Sequence, residues 1–148
     1  MLTGGRAEEA ALKAASFPDL QGKQRQLIEW RGRVMVLNFW ASWCAPCREE
    51  IPLFIAIREK YRKNRIEIVG IAVDNRPNVV EYSTNMHISY PILLAGADGL
   101  DLMRKLGNAA GALPYTVIVG RKGGVEHRKL GAYKQAELDS VLQPMVEG

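Results

Sequence analysis

An α/β domain with a mixed central sheet flanked by helices is the fold class this sequence predicts, and three features predict it. Segments of strand character alternate with segments of helical spacing along most of the chain, the pattern of strands joined by crossover helices. Val34 to Trp40 is a β-branched and aromatic run, apolar on both alternating faces. A central strand covered on each side by helices needs that composition. A short apolar run, Tyr115 to Val119, is followed by Arg121-Lys122-Gly123-Gly124, which reverses the chain into Val125 to Leu130 as an antiparallel hairpin and makes the sheet mixed.

Taken in order, residues 1–15 read as a polar lead-in rich in Ala and Glu, partly helical, with Gly4 and Gly5 loosening its start. The domain itself is assigned to residues 16–148. Phe17-Pro18-Asp19-Leu20 and Gln26-Leu27-Ile28, separated by Gly22, suggest a strand pair at its N-terminus, and Trp30-Arg31-Gly32-Arg33 turns the chain onward. After the strand Val34 to Trp40, apolar residues recur at helical spacing from Cys44 to about Lys63, with Pro52 inside as a kink. A second buried strand follows at Ile66 to Val73. Then come a helix at Pro77 to Met86, a short strand at Tyr90 to Leu94, and a helix at Gly99 to Leu106. Pro114 opens the strand Tyr115 to Val119, and an amphipathic helix from about Lys134 to Val146 closes the chain.

A chain of 148 residues suits one domain and buries enough surface to need no structural disulfide. The net charge is only +4, and the basic residues are not interleaved with aromatics that could stack on bases, so no nucleic-acid partner is expected. No apolar run approaches the length that spans a bilayer, and Met1 to Ala15 lacks the apolar stretch of a signal peptide.

The two cysteines, Cys44 and Cys47, stand three apart, too close to staple distant parts of a fold. In Trp43-Cys44-Ala45-Pro46-Cys47 a buried strand hands over to a helix, which puts Cys44 at the helix N-terminus beside unpaired backbone N–H groups. Such a setting lowers a thiol pKa from its free value near 8.5 and makes Cys44 a nucleophile at neutral pH. Cys47, one turn further in, is placed to attack a mixed disulfide on Cys44 and release a reduced substrate. Ala45 and Pro46 fix the spacing, and proline is tolerated in a first turn because its missing N–H would have no helical partner. A zinc site would need four ligands. There is no second pair of cysteines, and His87 and His127 stand in separate segments without ligand-like spacing, so no metal is expected.

The run Val36 to Pro52, read VLNFWASWCAPCREEIP, together with Ser89-Tyr90-Pro91-Ile92 and with Leu113-Pro114 before a strand, resembles the thioredoxin superfamily. Within it, the chain is similar to the membrane-tethered or periplasmic reductases of the TlpA, ResA and cytochrome c maturation type, from about Phe17 to Leu142. The resemblance implies a thioredoxin-like fold with an N-terminal strand pair and a βα insertion between Pro77 and Leu106. It implies a thiol:disulfide oxidoreductase working without a cofactor, with a disulfide-bearing protein substrate such as apocytochrome c. An upstream electron-donor protein, for example a membrane thiol donor, would restore the dithiol. It further implies a monomer in the periplasm or anchored facing it, with the cytoplasm as the alternative.

The same resemblance implies a cis bond at Leu113-Pro114 facing the cysteine pair, where the Leu113 backbone pairs with an extended substrate; base rates alone favour an ordinary trans proline. Trp43, Ala45 and Pro46 would line the substrate surface, and Trp40 either joins them or belongs to the core. Ordinary thioredoxins carry a buried aspartate on the central strand, where this chain has Asn38, which cannot titrate. Glu50, three residues past Cys47, leans back toward the pair on the helix, and relatives of the TlpA type carry a glutamate there. Glu50 is therefore a candidate to exchange the proton of Cys47; the alternative is a surface carboxylate. Arg48 reads as a solvated charge beside the site; the alternative is a residue that steers a substrate. Two rival functions remain, a thiol peroxidase of peroxiredoxin-like type and a non-catalytic binding module for metal or haem assembly. A lone peroxidatic cysteine with upstream Thr and Pro, the peroxiredoxin pattern, is absent.

Overall fold

A computed structural model of the protein describes residues 2–146. The main sheet has five strands in the order β5-β4-β3-β6-β7: β3 is Val34–Trp40, β4 Ile66–Val73, β5 Ile92–Ala95, β6 Tyr115–Val119 and β7 Val125–Leu130. β3 pairs in parallel with β4 and β4 with β5, while β6 and β7 run antiparallel. A two-stranded ribbon, β1 (Ser16–Pro18) with β2 (Gln24–Gln26), precedes it, and Asp19 bridges from its end to Leu93 of β5.

Every residue of β3 is buried, and its alternation divides the core in two. Val34, Val36 and Trp40 join the cluster under α2 (Ala45–Lys60), α3 (Arg76–Asn85) and α5 (Gln135–Leu142). Met35, Leu37 and Phe39 join the one under α1 (Leu2–Ala14) and α4 (Ala97–Lys105). Each fully buried Leu or Phe contributes about 1.5–3 kcal/mol, so this strand anchors both layers. Because β6 runs against β3, with Phe39 opposite Tyr115, the end of β3 and the start of β6 meet at one edge of the sheet. The ends of β4 and β7 lie at that edge too.

Several boundaries differ from the sequence reading. Within the lead-in expected as partly helical, Leu2–Ala14 forms α1 and packs on the domain: it buries Leu12 against the sheet and ties Glu8 to Arg128 in an ion pair. Leu27 and Ile28 leave the expected strand for a 3-10 helix, Leu27–Trp30. In that geometry residues three apart share a face, so Leu27 and Trp30 are buried together. Tyr90 falls outside β5, which starts after Pro91. The last helix stops at Leu142 and continues as a 3-10 turn, Gln143–Met145, holding Pro144. Pro52 lies within α2 with its ring exposed.

Candidate active site

Helix α2 starts at Ala45, with Cys44 as its N-cap in extended conformation (φ −98°, ψ 111°). Cys44 Sγ accepts a hydrogen bond from the Cys47 N–H at 3.3 Å. That is the position in which a Ser or Asp oxygen caps a helix, here taken by sulfur. The two cysteines form a disulfide, their Cα atoms 5.2 Å apart. Cys44 is 7% exposed and Cys47 1%, so an incoming partner reaches the first sulfur and not the second. Once the bond is reduced, the first-turn N–H groups and the helix dipole favour a thiolate on Cys44.

Trp43, just before the pair, is 66% exposed, whereas Trp40 is buried as the last residue of β3. Trp40 is thus core, its ring centroid 6.0 Å from that of Tyr82. Ala45 and Pro46 are exposed on the first turn of α2. The Leu113-Pro114 bond is cis, and Pro114 heads β6 at the same edge of the sheet. Its carbonyl accepts from the Gly131 N–H at 2.9 Å, drawing the chain after β7 to this edge.

Glu50 is not a surface carboxylate. It is 2% exposed, on the same buried side of α2 as Cys47. One carboxyl oxygen accepts from the Tyr133 N–H at 2.7 Å and the other from Asn38 Nδ2 at 3.3 Å. Burial pushes its pKa up to about 7, although the bonds from Tyr133 and Asn38 and the charge of Lys129 pull the other way. Asn38 holds its amide in place through a second bond, 3.1 Å to Thr116 Oγ1 on the neighbouring strand. The position that cannot titrate therefore orients the one that can.

Two further residues brace the loop. Asp74, at the C-terminal end of β4, accepts from both the backbone N–H (2.8 Å) and the hydroxyl (2.5 Å) of Ser42. Burial raises the Asp74 pKa, but the bonds from Ser42, Asn75 and Asn78 outweigh it and keep the carboxylate ionised. Arg48 donates to the Ser42 carbonyl at 2.9 Å; it is half-buried and so not the solvated charge the sequence suggested. Both polar groups of the Ser42 backbone and its side chain are thus held, which fixes the chain that carries Trp43 and Cys44. Sequence reading passed over Ser42, Asp74, Thr116 and Tyr133. For Asp74 the available signal was its place after a parallel strand, where sites in α/β folds gather. His87 follows α3 and His127 lies on β7, on separate elements.

Comparison with known proteins agrees with this geometry. Residues 7–142 match the Redoxin family. The thiol-disulfide oxidoreductase ResA of Geobacillus thermodenitrificans is 28% identical over 126 residues, covering 84% of this chain and 70% of that protein. A thiol:disulfide interchange protein of the thioredoxin family from Chlorobium tepidum superposes with a TM-score of 0.77 at 27% identity, over 89% of this chain and 92% of the other. A secreted thiol-disulfide isomerase from Corynebacterium glutamicum shares the fold, with a TM-score of 0.80 at 23% identity over 90% of this chain and 84% of the other. With a CxxC pair capping the helix after its central strand, the chain belongs to the Redoxin family and is a thioredoxin-superfamily protein of the ResA/TlpA type.

Proposed function

We propose that the protein reduces disulfides of partner proteins by dithiol exchange, with Cys44 as nucleophile, Cys47 as resolving thiol and Glu50 as the group that exchanges the proton of Cys47. The observation that carries the reading is the unequal setting of the two sulfurs: Cys44 caps the helix and keeps 7% exposure, while Cys47, one turn deeper, keeps 1% and shares the buried side of α2 with Glu50.

In the reduced protein the Cys44 thiolate attacks one sulfur of the partner disulfide, forming a mixed disulfide and releasing the other partner sulfur as a thiolate. Cys47 passes its proton to the Glu50 carboxylate and, as thiolate, attacks Cys44 Sγ. The mixed disulfide breaks, the partner leaves with both sulfurs reduced, and Cys44–Cys47 closes into the bond seen here. Two electrons have moved from this protein to the partner. Glu50 then returns its proton, and an upstream dithiol protein restores the pair by the same steps in reverse. A Glu pKa near neutrality suits a group that must accept and return a proton at physiological pH.

Substrate contacts fall to the groups around Cys44. Trp43 offers an exposed apolar face, Ala45 and Pro46 follow the sulfur on the first turn of α2, and the half-buried Leu113 before the cis Pro114 would lend its backbone to an extended substrate. The family implies disulfide-bearing substrates and redox partners. An exported protein such as apocytochrome c as substrate, a membrane thiol donor, a monomeric state and an extracytoplasmic setting complete the proposal. Support for the setting comes from the secreted isomerase that shares the fold. Among the described residues no helix is long and apolar enough to cross a membrane.

Mixed-disulfide trapping tests the assignment. Cys47→Ser is expected to accumulate a covalent adduct with a disulfide-bearing protein, released by added dithiol, and Cys44→Ser to form none. An adduct formed equally through Cys47 in the Cys44→Ser variant would overturn it.

A further inference from the structure

The sheet pole opposite the cysteine pair carries a second organised surface. β3 and β4 begin there and β6 ends there, and the three segments are laced together by arginine side chains. Arg65 donates to the Gly32 carbonyl at 3.0 Å, and Arg31 to the Lys122 carbonyl at 3.3 Å. Arg121 reaches the carbonyls of Arg65 (3.2 Å), Asn64 (3.1 Å) and Met145 (2.8 Å). Carbonyl acceptors orient a guanidinium without cancelling its charge. Lys63 and Lys122 stand exposed beside them. Among the described residues none of these five cations has a carboxylate at ion-pair distance, while Glu59 and Glu67 nearby are taken up by Arg62, Arg58 and Arg33. Two carboxylates stand among these cations, Glu9 in the lining of the adjoining pocket and Glu126 against Gly120, and the surface stays basic because the cations outnumber them.

Next to this cluster opens an apolar pocket of about 40 Å³. Leu12, Leu27, Trp30, Met35 and Val119 line it, and Ile28 at its rim is 41% exposed. Arg31 and Arg33 border the same opening. Cations held close to one another repel, and their persistence together makes the surface receptive to a dense array of anions. Apolar side chains set among the cations add what a soluble polyanion would not use but a lipid interface does.

We propose that this pole docks on the anionic headgroups of a phospholipid bilayer, with Ile28 and the pocket rim against the interfacial apolar layer. Docked this way, the protein presents its disulfide on the far side, open to protein partners. The proposal stands apart from the thiol chemistry and uses none of its residues.

Flotation of the intact oxidised protein with vesicles tests it. Binding is expected to vesicles of mixed phosphatidylglycerol and phosphatidylcholine and not to pure phosphatidylcholine. It should fade as salt shortens the screening length from about 10 Å at 0.1 M to about 3 Å at 1 M. Lys63→Gln with Lys122→Gln removes two exposed charges whose side chains make no hydrogen bond among the described residues, so the fold and disulfide exchange with a soluble substrate should persist. Vesicle partitioning should drop about fivefold for each charge removed. Ile28→Gln should weaken it further. Equal partitioning into both vesicle types, no partitioning into either, or an unaltered double variant would overturn the proposal. So would salt-sensitive binding to polyglutamate without binding to vesicles, which would assign the pole to an acidic protein partner.

Discussion

Replacing Glu50 by Gln keeps the size of a buried side chain and deletes its titration, and the structure sets how much that should matter. Unfolded, the carboxyl ionises near its ordinary value of 4.5; folded, burial holds the proton until about pH 7. Between those values the native state binds more protons than the unfolded state, so stability falls as pH rises through this window and levels off above it. A separation of this size corresponds to about 3 kcal/mol. The glutamine oxygen can still accept the Tyr133 N–H. Its amide would meet the Asn38 amide unless Asn38 turns over, in which case the Thr116 hydroxyl can donate to the turned oxygen. Urea unfolding of the two oxidised proteins from pH 5 to pH 8 at fixed ionic strength measures the effect, since other groups cancel in the difference. The wild type should lose about 2.5 kcal/mol relative to Glu50→Gln across this range, the part of the window that lies above pH 5. The pH dependence of disulfide reduction should change in the variant as well. Stability profiles that run parallel from pH 5 to pH 8 would refute the buried, proton-holding carboxyl.

Other perturbations have equally defined outcomes. Asp74→Asn removes the charge from the bonds that fix Ser42; stability at pH 7 should fall by about 1–2 kcal/mol. That deficit should shrink as pH falls through the carboxylate range, because the native Asp74 pKa is lowered and its stabilisation is lost on protonation. Denaturant melts at pH 7 and pH 3 check this. Gly70→Ala would bring a Cβ within 2.9 Å of Ile92 Cδ1 and 3.1 Å of Trp40 Nε1 in the packed centre of the sheet. Thermal and urea unfolding should show a loss of about 1–3 kcal/mol, and an unchanged Tm would mean the core gives way more easily than its packing indicates.

What the sequence made legible follows the range of the interactions involved. β3, β4 and the β6–β7 hairpin were readable because burial on two faces and a glycine-rich reversal are written locally, and their limits match those expected. Cys44 at a helix start was readable for the same reason: strand, turn and helix follow one another within a dozen residues. Glu50 could be aimed at the pair from helix geometry, but its burial depends on Tyr133, 83 positions away, and on Asn38 and Thr116 from two strands. The docking of α1 was hidden because one apolar residue, Leu12, carries much of it in a polar sequence, and its Arg128 partner lies 120 positions on. Leu27 and Ile28 look like strand residues singly; the sharing of one face by Leu27 and Trp30 turns them into a 3-10 helix. Asp74 resembles a turn residue until the loop before Cys44 is folded over it.

Titrating the Cys44 thiol in the reduced protein, by thiolate absorbance or the pH dependence of its alkylation, tests the account most directly. A helix-capping sulfur that receives the Cys47 N–H should ionise below the free-cysteine value near 8.5, and should react well before Cys47. A Cys44 pKa at or above 8.5, or equal reactivity of the two thiols, would contradict it.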